Sequence, residues 1–206
     1  NFYRQMLYSV EGRLAREYLA NRGINQEAEE MFQLGFSPGH RDAVTRHLLD
    51  LGYPEQDIIS AGLATRMDGG GVRDQFQRRL MFPIANSSGR VVGCGARSLN
   101  TSTPKYLNTS RTQVFDKGRI LYGLPLARDT IDSAGTAVIV EGYMDVIAAH
   151  QHGFQNVVAS MGTSLSEYQV SALKNLASSF VLALDPDNAG QEATIRSLES
   201  SWKALQ

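Results

Sequence analysis

A chain of 206 residues with 42% hydrophobic and 20% charged residues has room for one large or two small globular domains with a packed core. A net charge of −1 says nothing by itself about nucleic acid; the distribution of charge along the chain does. The lone cysteine, Cys94, excludes an internal disulfide framework and a Cys-rich zinc site. No apolar run reaches the length of a membrane span and no signal peptide opens the chain, so a reducing, cytoplasmic setting without a membrane partner is expected. The chain opens Asn-Phe-Tyr and closes on EATIRSLESSWKALQ, still helical in pattern, and is expected to be a fragment.

In chain order, YSVEGRLAREYLANRGI reads as a helix with Val10, Leu14, Tyr18 and Leu19 on its apolar face and Gly23 closing it. Further helices are expected over Gln26 to Gln33 and His40 to Leu51, the latter ended by Gly52 and Pro54. Met67 to Gly71 (MDGGG) is a glycine-rich loop. The period then shortens. RLMFPIAN, GRVVGCGARSL and PKYLN read as short strands, the first two joined by a turn at Ser87-Ser88-Gly89. Asp116 to Leu124 reads as a turn or short helix and Ser133-Ala134-Gly135 as a linker.

From Thr136 strands and helices alternate. TAVIVE, NVVAS and FVLALD are continuous apolar runs, as in parallel strands covered on both faces. Helices are expected near Tyr143 to His152, Ser166 to Ala177 and Ala189 to Leu205. The fold class is therefore mixed α/β. A helical and small-β subdomain over residues 1–132 precedes an incomplete parallel-sheet subdomain over 133–206.

Ligands of open parallel sheets sit at the carboxyl ends of the strands. Glu141 ends one such run, and Asp185 and Asp187 end another; Asp145 lies four residues after Glu141, in the first turn of a helix. Clustered carboxylates raise one another's pKa unless a cation joins them. Mg²⁺ suits a few carboxylates completed by water and phosphate oxygens. The plainer reading makes Asp185 and Asp187 a turn and a helix cap, and Glu141 a solvated strand end. Upstream, Arg90, Arg97, Lys105, Arg111, Lys117 and Arg119 stand against Asp116 alone between Asn86 and Tyr122. This basic segment followed by an acidic one suggests an anionic partner held beside a metal. Its plainer reading is a solvated basic face.

The stretches VEGYMDV and ALDPDNAG resemble the acidic motifs of the Toprim fold, shared by bacterial primases, type IA and II topoisomerases and some nucleases. AREYLANRGI, GFSPG, RDQFQRRLMFPI, GRVVGCGARSL, TPKYLNTS and FDKGRILYGL, in that order over nearly the whole chain, resemble the catalytic core of DnaG-type bacterial DNA primases. The resemblance implies template-directed synthesis of RNA primers from ribonucleoside triphosphates on single-stranded DNA. It implies Mg²⁺ or Mn²⁺ at Glu141, Asp145, Asp185 and Asp187, with Glu141, Asp185 and Asp187 catalytic. Arg97, Lys105, Tyr106, Asn108 and Lys117 match positions that hold template and nucleotide. A zinc-binding module and the module that meets the replicative helicase are expected outside this chain, as is a further acidic segment. Pro186 stands where the family usually has glycine.

Two other readings stay open. A Toprim nuclease or topoisomerase fragment would use the same acids for phosphodiester cleavage, and a non-catalytic Toprim module would only bind nucleic acid. A phage or plasmid primase-helicase is a further possible parent. Cys94 reads as core rather than nucleophile. His150 and His152 do not share a helix face, and no P-loop is present.

Overall fold

The computed structural model describes residues 1–100, 104–162 and 165–185. Asp187, Pro186 and the helix expected from Ala189 lie outside the described residues. Contacts divide the chain into two compact units, Asn1–Ile84 with Val91–Phe115, and Ala85–Arg90 with Asp116–Gln206.

The first unit opens with α1 (Phe2–Tyr8), α2 (Arg13–Asn21) and α3 (Gln26–Met31), followed by β1 (Gly35–Ser37), α4 (Ala43–Asp50) and α5 (Glu55–Ser60). The strands β2 (Ala64–Arg66), β3 (Val72–Asp74), β4 (Arg79–Ala85), β5 (Val91–Ser98) and β6 (Tyr106–Asn108) complete it. Strands order as β1-β4-β5-β6 in one sheet, with β2-β3 as a separate hairpin around the MDGGG loop. The turn between β4 and β5 falls where the sequence puts it: Asn86 N–H donates to Arg90 O at 2.9 Å, and Gly89 has φ +77°.

The stretch expected as the first helix opens in a turn: α1 ends at Tyr8 and α2 starts only at Arg13. The chain reverses tightly at Gly12, where a Cβ would lie 2.1 Å from the Leu7 carbonyl oxygen. The face of α2 turned inward carries Ala15 and Leu19, while Val10 and Leu14 are 92% and 57% exposed. Val10 and Leu14 of the expected stripe therefore face solvent, while Leu19 is buried as the stripe requires. Gly23 does end α2, at φ +71°, its N–H bonded to Ala20 O while Ile24 N–H reaches Leu19 O. This is the 6→1 and 5→2 pattern of a Schellman cap. Gly52, at φ +86°, closes α4 in the same way, with Gly52 N–H on Leu49 O and Tyr53 N–H on Leu48 O.

Pro54, read only as a helix stop, stands at the N-cap of α5, with Glu55 and Asp57 in the first turn, where the helix dipole favours acids. α4 begins at Ala43 rather than His40. Its first turn is held by Asp74, whose carboxylate accepts from Val44 N (2.8 Å), Thr45 N (3.1 Å) and Thr45 Oγ1 (2.6 Å).

Among its described residues the second unit contains a 3₁₀ turn (Lys117–Arg119), α6 (Leu124–Ala134), β7 (Thr136–Val140), α7 (Tyr143–Gln151), β8 (Val157–Ala159), α8 (Glu167–Lys174) and β9 (Ser179–Leu182). α6 was not read from the sequence. Ser133 and Ala134 are its last turn rather than a linker, and Gly135 at φ +62° ends it. Leu124, Ala127 and Ile131 share one helix face, buried with Ala137, Ile139, Val158, Val170 and Leu173 in one core. The sheet order is β8-β7-β9, and both pairings are parallel. β7 is thus central, and its carboxyl end leads into Glu141.

Candidate functional site

The parallel sheet brings Glu141 and Asp185 together. β7 and β9 pair in register from Thr136–Ser179 to Ile139–Leu182, so the two chains leave the sheet side by side. Asp185 N–H donates to Glu141 Oε1 at 3.1 Å. Glu141 is half-buried and Asp185 exposed. On the other flank Ser160 N–H bonds to Val140 O (3.2 Å) and Gly162 N–H to Glu141 O (3.1 Å), which carries the ladder past the end of β8. Met161 and Gly162 turn there with φ of +65° and +85°. A left-handed non-glycine residue beside a candidate site is stored strain, and apolar periodicity gives no sign of it.

Asp145 lies in the first turn of α7, and its Oδ2 accepts from Gly142 N–H at 3.0 Å. One carboxylate oxygen therefore caps the helix, as a capping box does. Gly142 permits this approach, since a Cβ there would lie 2.9 Å from that oxygen.

Lys117 belongs to the same unit. Its Nζ lies 4.0 Å from where a Cβ on Gly162 would be, next to the turn that bonds Glu141. The amine is half-buried, and burial lowers its pKa. No three Asp, Glu, His or Cys side chains converge on a common point among the described residues. The all-oxygen pair Glu141 and Asp185 still suits a hard cation, since Mg²⁺ takes one or two carboxylates and fills its shell with water and phosphate.

Arg97, Lys105, Tyr106 and Asn108 lie in the first unit. β5 and β6 pair antiparallel with Arg97 opposite Tyr106 and Gly95 opposite Asn108. Opposed residues share a face, and so do alternate ones. Arg97, Tyr106 and Asn108 therefore stand on one face of this ribbon, while Lys105, one residue before Tyr106, has the other parity. Leu107, of that other parity, packs against Phe76, Met81, Cys94 and Ala96.

The Arg97 guanidinium lies 4.0 Å from the Tyr18 ring centroid and 5.8 Å from that of Tyr106, within cation–π range of both. Tyr18, read from the sequence only as part of a helix stripe, is thus a support for Arg97. Arg79 holds the main chain that leads into β6. It is buried and donates to Pro104 O (2.9 Å) and Lys105 O (3.5 Å). Among the described residues no arginine pairs with Asp74, because the α4 N-terminus already takes its oxygens. Burial pushes the Cys94 thiol up to about 12, which makes it an inert core group.

Residues 2–128 match the family model described as DNA primase catalytic core, N-terminal domain. The chain belongs to the DNA primase catalytic-core family. Residues 135–205 match the Toprim domain model. The DNA primase of Deinococcus radiodurans is 44% identical over 187 residues, which cover 90% of this chain and 33% of that protein. The DNA primase of Escherichia coli K12 is 40% identical over 202 residues, covering 97% of this chain and 34% of that protein. The chain thus spans about a third of the length of these relatives.

Among solved structures, a DNA primase domain from Pseudomonas aeruginosa superposes with a TM-score of 0.92 at 41% identity, covering 100% of this chain and 64% of that one. A DnaG primase catalytic domain bound to single-stranded DNA superposes at 0.87 with 40% identity, covering 97% and 62%. The primase resemblance read from the sequence motifs is thereby established, as is the mixed fold with its Toprim-type sheet.

Proposed function

We propose that this chain carries the polymerising centre of a bacterial DNA primase. It joins ribonucleoside triphosphates into a short RNA primer on a single-stranded DNA template. The observation that carries this reading is the pairing of Glu141 with Asp185 at the carboxyl ends of adjacent parallel strands, in a family whose members are primases.

Glu141, Asp185 and Asp187 are the catalytic acids, and with Asp145 they are the ligands for Mg²⁺ or Mn²⁺. A bound divalent cation supplies charge neutralisation at the triphosphate and activates the attacking 3′-hydroxyl. Glu141 also stands where it can take part in proton transfer. Arg97 and Lys105 hold phosphates, Tyr106 stacks on a base, Asn108 bonds a sugar or base edge, and Lys117 meets the nucleotide beside Glu141. Residues 1–132 form the template-binding subdomain and 133–206 the Toprim subdomain, with α6 packed on the Toprim core. Zinc and the replicative helicase are served by other regions of the parent protein, which works in the cytoplasm.

The test is incorporation of labelled ribonucleotides on single-stranded DNA with Mg²⁺ or Mn²⁺, for this chain and for the full-length protein, each beside Glu141→Gln. Template-dependent RNA that is lost in the variant is expected. Absence of RNA from the full-length protein overturns the reading, and DNA cleavage without nucleotides would favour a nuclease.

A further inference from the structure

The turn that carries Lys117 is held from below by the first turn of α8. Gln169 is fully buried although it is polar. Its Nε2 donates to Lys117 O at 3.2 Å and to Ile120 O at 2.8 Å. Its Oε1 accepts from Ser166 N–H at 3.1 Å, and its own N–H donates to Ser166 Oγ at 3.1 Å. Ser166 Oγ in turn donates to Gly118 O. On the surface the Arg119 guanidinium stacks 4.3 Å from the Tyr168 ring centroid.

A capping box alone needs only the reciprocal bonds between Ser166 and Gln169. Here the same two side chains also take the carbonyls of Lys117, Gly118 and Ile120. A 3₁₀ turn of three residues has little internal rigidity. Its orientation is therefore imposed by α8.

We propose that Gln169, with Ser166, is a positioning residue that fixes the Lys117 amine by the Gly162 turn that follows β8 and bonds Glu141 O, acting through the main chain of residues 117–120. The inference rests on the reading of Lys117 as a nucleotide-holding group, and it assigns to the α8 cap control of affinity for the triphosphate. A buried amide that satisfies carbonyls on another segment acts like the outer partners that orient ligating or catalytic side chains elsewhere. Removing its donors leaves buried carbonyls unpaired, and the turn must move to reach water.

The experiment uses the full-length protein with Gln169→Met, which keeps bulk and loses both donors, and Ser166→Ala as a milder second variant. Steady-state primer synthesis is measured against ribonucleotide concentration. In parallel, Lys117 is followed by mass spectrometry during labelling with an amine-reactive ester, with and without ribonucleotide and Mg²⁺. In Gln169→Met the ribonucleotide KM rises about tenfold while kcat stays within about twofold. Lys117 labels several-fold faster, and Gln169→Met adds nothing further to the KM of Lys117→Ala.

Wild-type KM and labelling in both folded variants, with only a lowered Tm, overturn the proposal and leave Gln169 structural. If ribonucleotide fails to protect Lys117 in the wild type and Lys117→Ala keeps a normal KM, the nucleotide reading of Lys117 fails instead. Labelling of the variants then decides whether α8 positions the amine.

Discussion

The backbone N–H of Asp185 donates to the carboxylate of Glu141 at 3.1 Å, tying the end of β9 to the end of β7. An amide oxygen accepts the same bond, so Glu141→Gln leaves the two strand ends joined. Folding and template binding are expected to survive, while kcat for primer synthesis falls by a factor of at least about 100, the scale of a lost acid–base or metal-holding group. Circular dichroism and anisotropy on a labelled oligonucleotide check the first part and radiolabel incorporation the second. Wild-type incorporation in the variant would remove Glu141 from the chemistry.

Arg97 and Tyr106 face each other across β5 and β6 and are expected to fail differently. Arg97→Ala removes a phosphate contact, so the slope of log affinity for single-stranded DNA against log salt falls by about 0.7. Tyr106→Ala removes a stacking surface. It costs about 1–3 kcal/mol of binding and leaves the slope unchanged. Anisotropy titrations over a salt series distinguish them, and equal slopes in both variants would contradict a phosphate contact at Arg97.

Asp74 caps α4 from a buried position. Asp74→Ala is expected to destabilise the first unit by about 2–3 kcal/mol, through lost cap bonds and unpaired N–H groups. Burial raises the Asp74 pKa, with the α4 hydrogen bonds pulling the other way. The native state then keeps this proton longer than the unfolded state does. Its contribution to stability falls as pH rises above the ordinary carboxylate value of 3.8, and levels off above the folded pKa. Urea titrations should show this fall in the wild type and not in Asp74→Asn.

His150 is buried, with Nε2 at 2.8 Å from Val157 O, so the neutral ring donates there. Burial lowers its pKa below 6.5, with the carbonyl opposing. The unfolded chain takes up the proton first. Stability is therefore complete above about pH 6.5 and declines as pH falls below that value. His150→Gln should be less stable at pH 7.5 and should show a shallower decline between pH 7 and 5. An unchanged decline would place the titration elsewhere.

Much of the candidate acidic site is legible in the sequence. Apolar runs ending in carboxylates mark parallel strands and their carboxyl ends, because side-chain periodicity and strand-end chemistry are local properties. Gly23 and Gly52 were legible as helix stops for the same reason, since a left-handed residue is a local demand. Non-local features were not legible. α6 escaped because Leu124, Ala127 and Ile131 show their face only against the sheet they cover. The stripe failed at Val10 and Leu14, where the chain turns through Gly12 and α2 has only begun.

Which acids meet is settled by long-range strand pairing. The order β8-β7-β9 sets Glu141 beside Asp185, and strand order depends on long-range pairing that spacing does not encode. The tertiary structure also shows that Asp145 caps its helix, that Arg97 rests on Tyr18, and that the Lys117 amine lies by the Gly162 turn whose N–H bonds Glu141 O. The contact of Arg97 with Tyr18 and that of Lys117 with the Gly162 turn join segments far apart in the chain, fixed by packing within each unit, whereas the Asp145 cap is a bond across three residues.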